Sequence, residues 1–528
     1  MQNTKEPLSL PGHISLLTEG VWHTAALTGK SACWGEITVE LAQTDEALNL
    51  YAMAQNVRLS EIVLHWEREF PAETLYTGGA WERGYGDLHW GCRQYERVFP
   101  WYLLANAGGI TEAYGVKVRP GAMCWWAVSG TGIALHLDVR CGGDGVLLQG
   151  RKLCAASAVY RRYTEGSAFE AARSFCGVMC TDPVLPAEPV YGGNNWYYAY
   201  GNSSHQDILS DTAQLAELCR GLDNRPFFVI DDGWQIQRGN GYIGGPWRAG
   251  NDRFPDMKAL AAEIRAQDVR PGIWVRLLQN RTEELGTDCR LRKTTDLLDP
   301  SHPAVQAYIA QDLHTVTEWG YELIKHDFST FDLLGRWGSA MGRQITDSGW
   351  TFHNPHKTTA EIITDFYRLI YEAAGGRYIL GCNCVGHLGA GLMHLNRTGD
   401  DTSGVRWERT RRMGVNTLAF TLPQHNRFFA IDADCIGITG EIHWTLNSRW
   451  LKLLANSGTP LFASIKPGAL TDGQKQELKA AFRLASLQGS QPEPLDWTGN
   501  TCPARWDFGG EPQHFLWTPA DGMLDFTT

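Results

Sequence analysis

Residues 321–328 read YELIKHDF, an apolar run that closes on a lysine and an aspartate. Side chains along an extended strand alternate, so Lys325 and Asp327 point one way while Ile324 and His326 point the other. The patterns on either side are helical: HPAVQAYIAQDLHTVTEWG at 302–320 and KTTAEIITDFYRLIYEAAG at 357–375. A strand this apolar between two amphipathic helices belongs in a parallel sheet covered by crossover helices.

The alternation extends in both directions. Upstream lie PVYGGNNWYY (189–198), PFFVIDDGW (226–234) and RPGIWVRLL (270–278), separated by the helical patterns DILSDTAQLAELCRGL and DMKALAAEIRAQ. Downstream come RYILGCN (377–383), LMHLNRT (392–398), VNTLAF (415–420) and DCIGIT (434–439). Eight such units close a (β/α)8 TIM barrel, in which chemistry sits at the carboxyl ends of the strands. The barrel is expected over residues 186–456. Residues 1–185 carry short alternating runs (CWGEITVEL, VRLSEIVLHW, GAMCWWAVSG, GIALHLDVR) between Gly, Asn and Asp turns, the pattern of a β-sandwich. The Pro-containing stretch TDPVLPAEPVYGG (181–193) marks the boundary. Residues 457–528 pass from a helix into EPLDWTG, CPARWDF and HFLWTP, read as a small antiparallel β-sheet domain. The expected fold class is therefore multidomain α/β with β flanks.

Composition narrows the function. The 528 residues carry 47 basic against 58 acidic side chains, a formal charge of -11, which disfavours nucleic acid and anionic membranes as partners. No stretch approaches the roughly 18 apolar residues of a membrane span, and the first residues show no signal-peptide pattern. Thirteen scattered cysteines fit reduced thiols and a cytoplasmic location; oligomeric state is left open. No H-x-H, H-E-x-x-H, G-x-G-x-x-G after a strand, Walker loop or G-x-S-x-G occurs, so neither metal nor cofactor is expected. The 21 tryptophans serve mostly as core, with a few available to wall a sugar cleft.

Three clusters of charged residues end the strands. Asp231 and Asp232 follow PFFVI directly, with Trp234 two residues on; paired carboxylates beside an indole suit sugar hydroxyls. Lys325 beside Asp327 is expected to keep that carboxylate ionised, as the nucleophile of a retaining glycosidase requires. Arg397, Asp400 and Asp401 in LNRTGDDTSG offer a general acid and base, although the same segment reads equally as a turn and helix cap.

With NNWYYAYG, VIDDGW, KHDF and RTGDDT in this order, the chain resembles the α-galactosidases of glycoside hydrolase family 36, in the clan that also holds families 27 and 31. The resemblance covers about residues 186–455 and implies an N-terminal supersandwich, a catalytic barrel and a C-terminal sheet. It implies Asp327 as nucleophile, Asp231 and Asp232 as ligands of galactose hydroxyls with Trp234 beside them, Lys325 as a sugar ligand, and Trp196 as a pocket wall. The acid/base falls on Asp401 by its spacing from Arg397, with Asp400 as the alternative. After Trp274 this chain departs from the family's commoner Phe-Glu-Pro pattern, carrying Val275, Arg276 and Leu277. Arg276 then either pairs with a nearby acid or reads an anionic group on the substrate. Trp274, Cys382 and Asn383 stand near the pocket as further substrate-binding candidates.

The resulting expectation is a retaining exo-α-glycosidase of the melibiase type, acting on terminal α-galactosides of oligosaccharides or glycoconjugates. Alternatives are galactosyl transfer by the same residues and another α-linked sugar: an N-acetylgalactosaminide, a glucoside or an anionic sugar. Different in class are a metal-dependent barrel hydrolase and a sugar-binding protein without catalysis.

Overall fold

The computed structural model describes residues 3–4, 7–236, 242–293, 296–487, 489 and 492–518. The N-terminal part is a sandwich of an eight-stranded and a six-stranded antiparallel sheet. Alternating burial along strands such as Leu48–Ala54 turns one face inward. Tyr114 of one sheet meets Trp126 of the other with ring centroids 5.8 Å apart, and Trp66 packs on Trp126 at 5.9 Å. The helix Ala168–Met179, started by a capping box between Ser167 and Glu170, leads from the sandwich to the barrel.

The barrel strands are β1 (Tyr191–Asn194), β2 (Phe227–Ile230), β3 (Arg270–Val275), β4 (Leu323–His326), β5 (Tyr378–Gly381), β6 (Leu395–Arg397), β7 (Ala430–Asp432), β8 (Cys435–Ile438) and β9 (Leu461–Ile465). All pair in parallel, in the order β7-β6-β5-β4-β3-β2-β1-β9-β8. The two ends of that path, β7 and β8, are joined in the chain by Ala433 and Asp434 alone. One bent strand thus bonds to β6 with its first half and to β9 with its second, which closes an eight-position TIM barrel. Helices α1 (His205–Leu218), α2 (Met257–Ala266), α3 (Pro303–Trp319), α4 (Thr359–Ala373), α5 (Trp444–Asn456) and α6 (Asp472–Ala485) cover it. Capping boxes at Ser204/Asp207, Thr358/Glu361 and Thr471/Gln474 start α1, α4 and α6.

The late barrel differs from the sequence reading in three ways. VNTLAF is helical, a π turn over Arg411–Asn416 running into a helix over Thr417–Thr421. It is buried on every side, so its apolar run carried no helical period. DCIGIT is the second half of the seventh strand. The closing strand is LFASI, at Leu461–Ile465, beyond the expected limit at 456, and α6 packs on α1 and α5 as a barrel helix. The remaining C-terminal segment forms a three-stranded antiparallel sheet of Glu493–Pro494, Arg505–Asp507 and Gln513–His514; residues 519–528 of the expected third domain lie outside the described residues. Among the described residues no helix is long and apolar enough to cross a membrane.

Candidate active site

The carboxyl ends of the barrel strands converge on one polar cluster. On its floor, Lys325 of β4 lies with Nζ 2.7 Å from Asp231 Oδ2, and that oxygen also accepts from Asn194 Nδ2 at 2.7 Å. Asp231 Oδ1 accepts the Asp232 backbone N–H at 2.9 Å, and Gln235 Nε2 donates to Asp232. Gly233 makes this turn possible: its φ is +119°, and a Cβ there would stand 2.5 Å from the Gly201 carbonyl oxygen. Burial alone would lower the Lys325 ammonium, but Asp231, with Asp327 further off, outweighs it and raises its pKa above the ordinary lysine value. The expected close Lys325–Asp327 pair is thus replaced by Lys325–Asp231.

Asp327 is held otherwise. Its Oδ2 accepts the Trp274 indole N–H at 2.9 Å, and its Oδ1 accepts the Phe328 backbone N–H at 2.7 Å. Two donors, one on each oxygen, fix the carboxylate while leaving lone pairs on both. Phe328 takes a left-handed φ of +63° to deliver that N–H. Asn383 at +51° and Asp434 at +72° stand beside β5 and β7 in the same region, which these two residue types adopt readily. His326 points away, toward Cys384 Sγ at 3.5 Å, as strand alternation requires.

Across the pocket, Arg397 is buried among three carboxylates. Its guanidinium lies 3.1 Å from Asp432 Oδ2, 2.9 Å from Asp434 Oδ2 and 3.3 Å from Asp401 Oδ1. The Trp196 indole N–H reaches Asp401 Oδ2 at 3.3 Å. Burial pushes the Asp401 carboxyl up, yet Arg397, Arg83, Lys325 and Arg409 together hold it below the usual carboxylate range. Asp434 goes the other way, raised by burial and by its neighbours Asp401 and Asp432 against the pull of Arg397. Asp400 is clamped on both oxygens, by Arg83 Nη2 at 2.9 Å and Arg409 Nη2 at 2.8 Å. Its side chain is 23% exposed against 38% for Asp401, so Asp401 is the more open of the pair.

Arg83 comes from the N-terminal sandwich, on a strap over residues 81–87 that reaches into the barrel mouth. Gly84 N–H donates to Thr398 O at 2.8 Å, and Asp400 N–H donates to Gly84 O at 3.0 Å. Glu82 accepts from the Asn383 amide, from the Tyr85 hydroxyl and from Gly338 N–H. The strap therefore binds the loops after β4, β5 and β6. Nothing local in the sequence marks Glu82 or Arg83, because their partners lie in another domain. Asp432 and Asp434 were also missed, although two acids at a strand's carboxyl end repeat the logic of Asp231 and Asp232.

Three expected pocket residues are engaged with partners in the protein. Trp234 has no exposed surface; its ring packs against Trp247 and Trp319, and its N–H donates to Trp274 O at 2.9 Å. It braces Trp274 rather than walling a cleft. Arg276 pairs with Asp332 through Nε and Nη2 and lies 4.1 Å over the Phe328 ring, the ion-pair alternative realised on an acid that the sequence had not singled out. Asn383 spends its amide on Glu82 and Phe331 N–H. Cys382 is buried amid Asp327, Arg397 and Lys325, and burial pushes its thiol well up, so it is protonated. Among the described residues, one group away from this cluster brings three potential metal-ligand atoms within 4.8 Å: Asp288, Cys289 and His302. There His302 Nδ1 already accepts Ala304 N–H at 3.1 Å.

No protein-family model matches the chain, and no curated protein matches it in sequence. Solved structures do. TtGalA, an α-galactosidase from Thermus thermophilus in complex with p-nitrophenyl α-D-galactopyranoside, superposes with a TM-score of 0.62 at 17% identity over 95% of this chain and 98% of that one. A variant of the family 36 α-galactosidase AgaA from Geobacillus stearothermophilus, in complex with raffinose, gives 0.58 at 13% identity over 92% and 77%. A family 31 sulfoquinovosidase from E. rectale in complex with an aza-sugar inhibitor gives 0.58 at 11% over 96% and 87%. At these identities the likeness is one of fold, and the fold is that of family 36 α-galactosidases.

Proposed function

We propose that the protein is a glycoside hydrolase that releases terminal α-galactosyl residues with net retention of configuration. One observation carries this reading: Asp327, oriented by Trp274 and Phe328, shares the barrel mouth with the partly exposed Asp401, above a floor of Asp231, Asp232 and Lys325 suited to sugar hydroxyls. The solved structures of similar fold include α-galactosidases holding galactosides, which supports the choice of sugar.

In the first step an Asp327 oxygen bonds to the anomeric carbon as the bond to the leaving oxygen breaks, and Asp401 gives that oxygen its proton. In the second, Asp401 takes a proton from water, the water oxygen attacks the same carbon, and the ester to Asp327 breaks, restoring the carboxylate. The Trp274 and Phe328 donors hold Asp327 in place through both steps. Arg397 stabilises the anionic form of Asp401 that the second step needs.

A panel of nitrophenyl α-glycosides (galactoside, glucoside and N-acetylgalactosaminide) tests the sugar, and the anomer of the first product, followed by NMR, tests the stereochemistry. Fast turnover of the α-galactoside with α-galactose appearing first is expected. β-Galactose as the first product would overturn retention, and preference for another sugar would overturn the specificity.

A further inference from the structure

Away from the catalytic mouth, near the amino end of the barrel, two arginines meet with nothing to balance them. Arg173 stands on the helix Ala168–Met179, which leads from the sandwich into the barrel and packs against the turn Leu422–Gln424 ahead of β7. Gly177 follows Arg173 by one helical turn on the same face. The Arg427 side chain runs along that glycine: its Cδ, Nε and Nη1 lie 3.7, 3.9 and 3.9 Å from where a Cβ on Gly177 would stand. One guanidinium from each side of the domain seam is thus placed over a single face of the helix.

Neither group has an acid partner. Neither guanidinium forms an ion pair with any described residue or donates a hydrogen bond to one, and Arg173 Nε is sealed from solvent and still unpaired. Burial and the charge of Arg427 both lower the Arg173 pKa, and no carboxylate pulls the other way. The titratable neighbours do not help. Burial pushes the Cys176 thiol up, so it is neutral, and His425 is lowered to about 4, so it too is neutral at pH 7. By contrast Arg83, Arg276 and Arg397, the buried arginines of the catalytic mouth, each reach a carboxylate. A buried donor without an acceptor is destabilising, and so are like charges side by side.

The missing component is an anion, and the donors narrow its kind. A carboxylate has two oxygens, which one guanidinium fork uses up, whereas a tetrahedral oxyanion offers a pair of oxygens to each of two forks. We infer that Arg173 and Arg427 form a binding site for a phosphate group, which bridges the helix Ala168–Met179 to the turn before β7 and fastens the sandwich to the amino face of the barrel. Strand β7 separates this site from the catalytic mouth, since Arg427 precedes its amino end and Asp432 stands at its carboxyl end. The phosphate is therefore a structural ligand, independent of the chemistry proposed for the mouth. Arg427 is exposed, which leaves room for either inorganic phosphate or the end of a phosphomonoester.

The test titrates the full chain with inorganic phosphate and, separately, with glycerol phosphate by calorimetry; the tighter binder identifies the source of the group. Melting temperature is followed in phosphate, chloride and acetate at equal ionic strength, for the unmodified protein and for Arg173→Gln and Arg427→Gln. The unmodified protein should bind one phosphate and melt higher in phosphate than in the other two salts, which screen the repulsion without bridging it. Each substitution should weaken phosphate binding at least about tenfold. Because it removes one of two like charges, each should also leave the melting temperature in phosphate-free buffer unchanged or higher. Equal melting temperatures in the three salts, or phosphate binding retained by both variants, would overturn the site. So would variants that melt lower in phosphate-free buffer, because the arginines would then hold the seam by their own contacts.

Discussion

The indole nitrogen of Trp274 lies 2.9 Å from Asp327 Oδ2, while the carbonyl of the same residue accepts the Trp234 indole at 2.9 Å. The orientation of the carboxylate is thus anchored in a buried tryptophan core. Trp274→Phe keeps the ring and removes the donor. A hydrogen bond to a charged group is worth about 1.5–3 kcal/mol, so kcat/KM on an α-galactoside should fall about 10- to 100-fold with little change in melting temperature. A loss below threefold would show that the bond does not serve catalysis.

Asp327→Gly should retain the fold by circular dichroism and lose at least about 1,000-fold in turnover. Azide in millimolar amounts should restore activity on an activated substrate and yield the β-galactosyl azide. Residual wild-type turnover would remove Asp327 from its role.

Asp400 and Asp401 separate by substrate. Asp401→Ala should lose more than about 100-fold on alkyl galactosides and less than about tenfold on dinitrophenyl galactoside, which departs without a proton. Asp400→Ala frees Arg83 and Arg409 from their shared carboxylate and should depress all substrates alike, with lowered stability. The reverse pattern would move the acid to Asp400.

The cations around Asp401 hold its carboxyl below the usual carboxylate range. The limb of kcat/KM that reports the free acid should therefore lie at acidic pH, with kcat/KM falling as pH rises. A bound sugar displaces water and strengthens the upward push of burial, so the corresponding limb in kcat should lie at higher pH. Coincident limbs in a pH–rate series would contradict this account.

His387 links the domains: Nε2 lies 3.0 Å from Val116 O and the ring stacks on Trp101 at 4.8 Å. Burial lowers its pKa to about 3 from the ordinary 6.5. The native state holds it neutral where the unfolded chain is charged, so its contribution is complete above pH 6.5 and is lost as pH falls toward 3. Between pH 6.5 and 4.5 that loss amounts to about 2–3 kcal/mol. His387→Gln, which keeps a donor for Val116 O, should narrow the gap in melting temperature between those two pH values.

The sequence made β2, β3 and β4 easy to read because each is short, apolar on both faces and ends on charged residues, and because helices with clear caps separate them. Asp231, Asp232, Lys325, Asp327, Arg397, Asp400 and Asp401 stood out as charged residues at strand ends, while the preference for Asp401 over Asp400 came from the family resemblance; the structure gathers all of them at the carboxyl ends of the barrel strands. The seventh strand was obscured by its division at Ala433 and Asp434, with each half too short for a period. The eighth, LFASI, was missed because it lies past the limit set at residue 456 and so fell to the C-terminal segment. Trp234 illustrates another limit: periodicity places a residue at a strand end, but only packing decides whether an indole faces sugar or core. Glu82 and Arg83 were illegible in principle, since their meaning depends on Asn383 and Asp400, about three hundred positions away.

That last pairing bears on how such proteins can be recombined. The residue that clamps Asp400 is encoded with the sandwich and not with the barrel, so exchanging the N-terminal half between related chains at the boundary near residue 186 would separate Arg83 and Glu82 from the loops they hold. A working chimera must therefore carry residues 81–87 together with the barrel loops they hold.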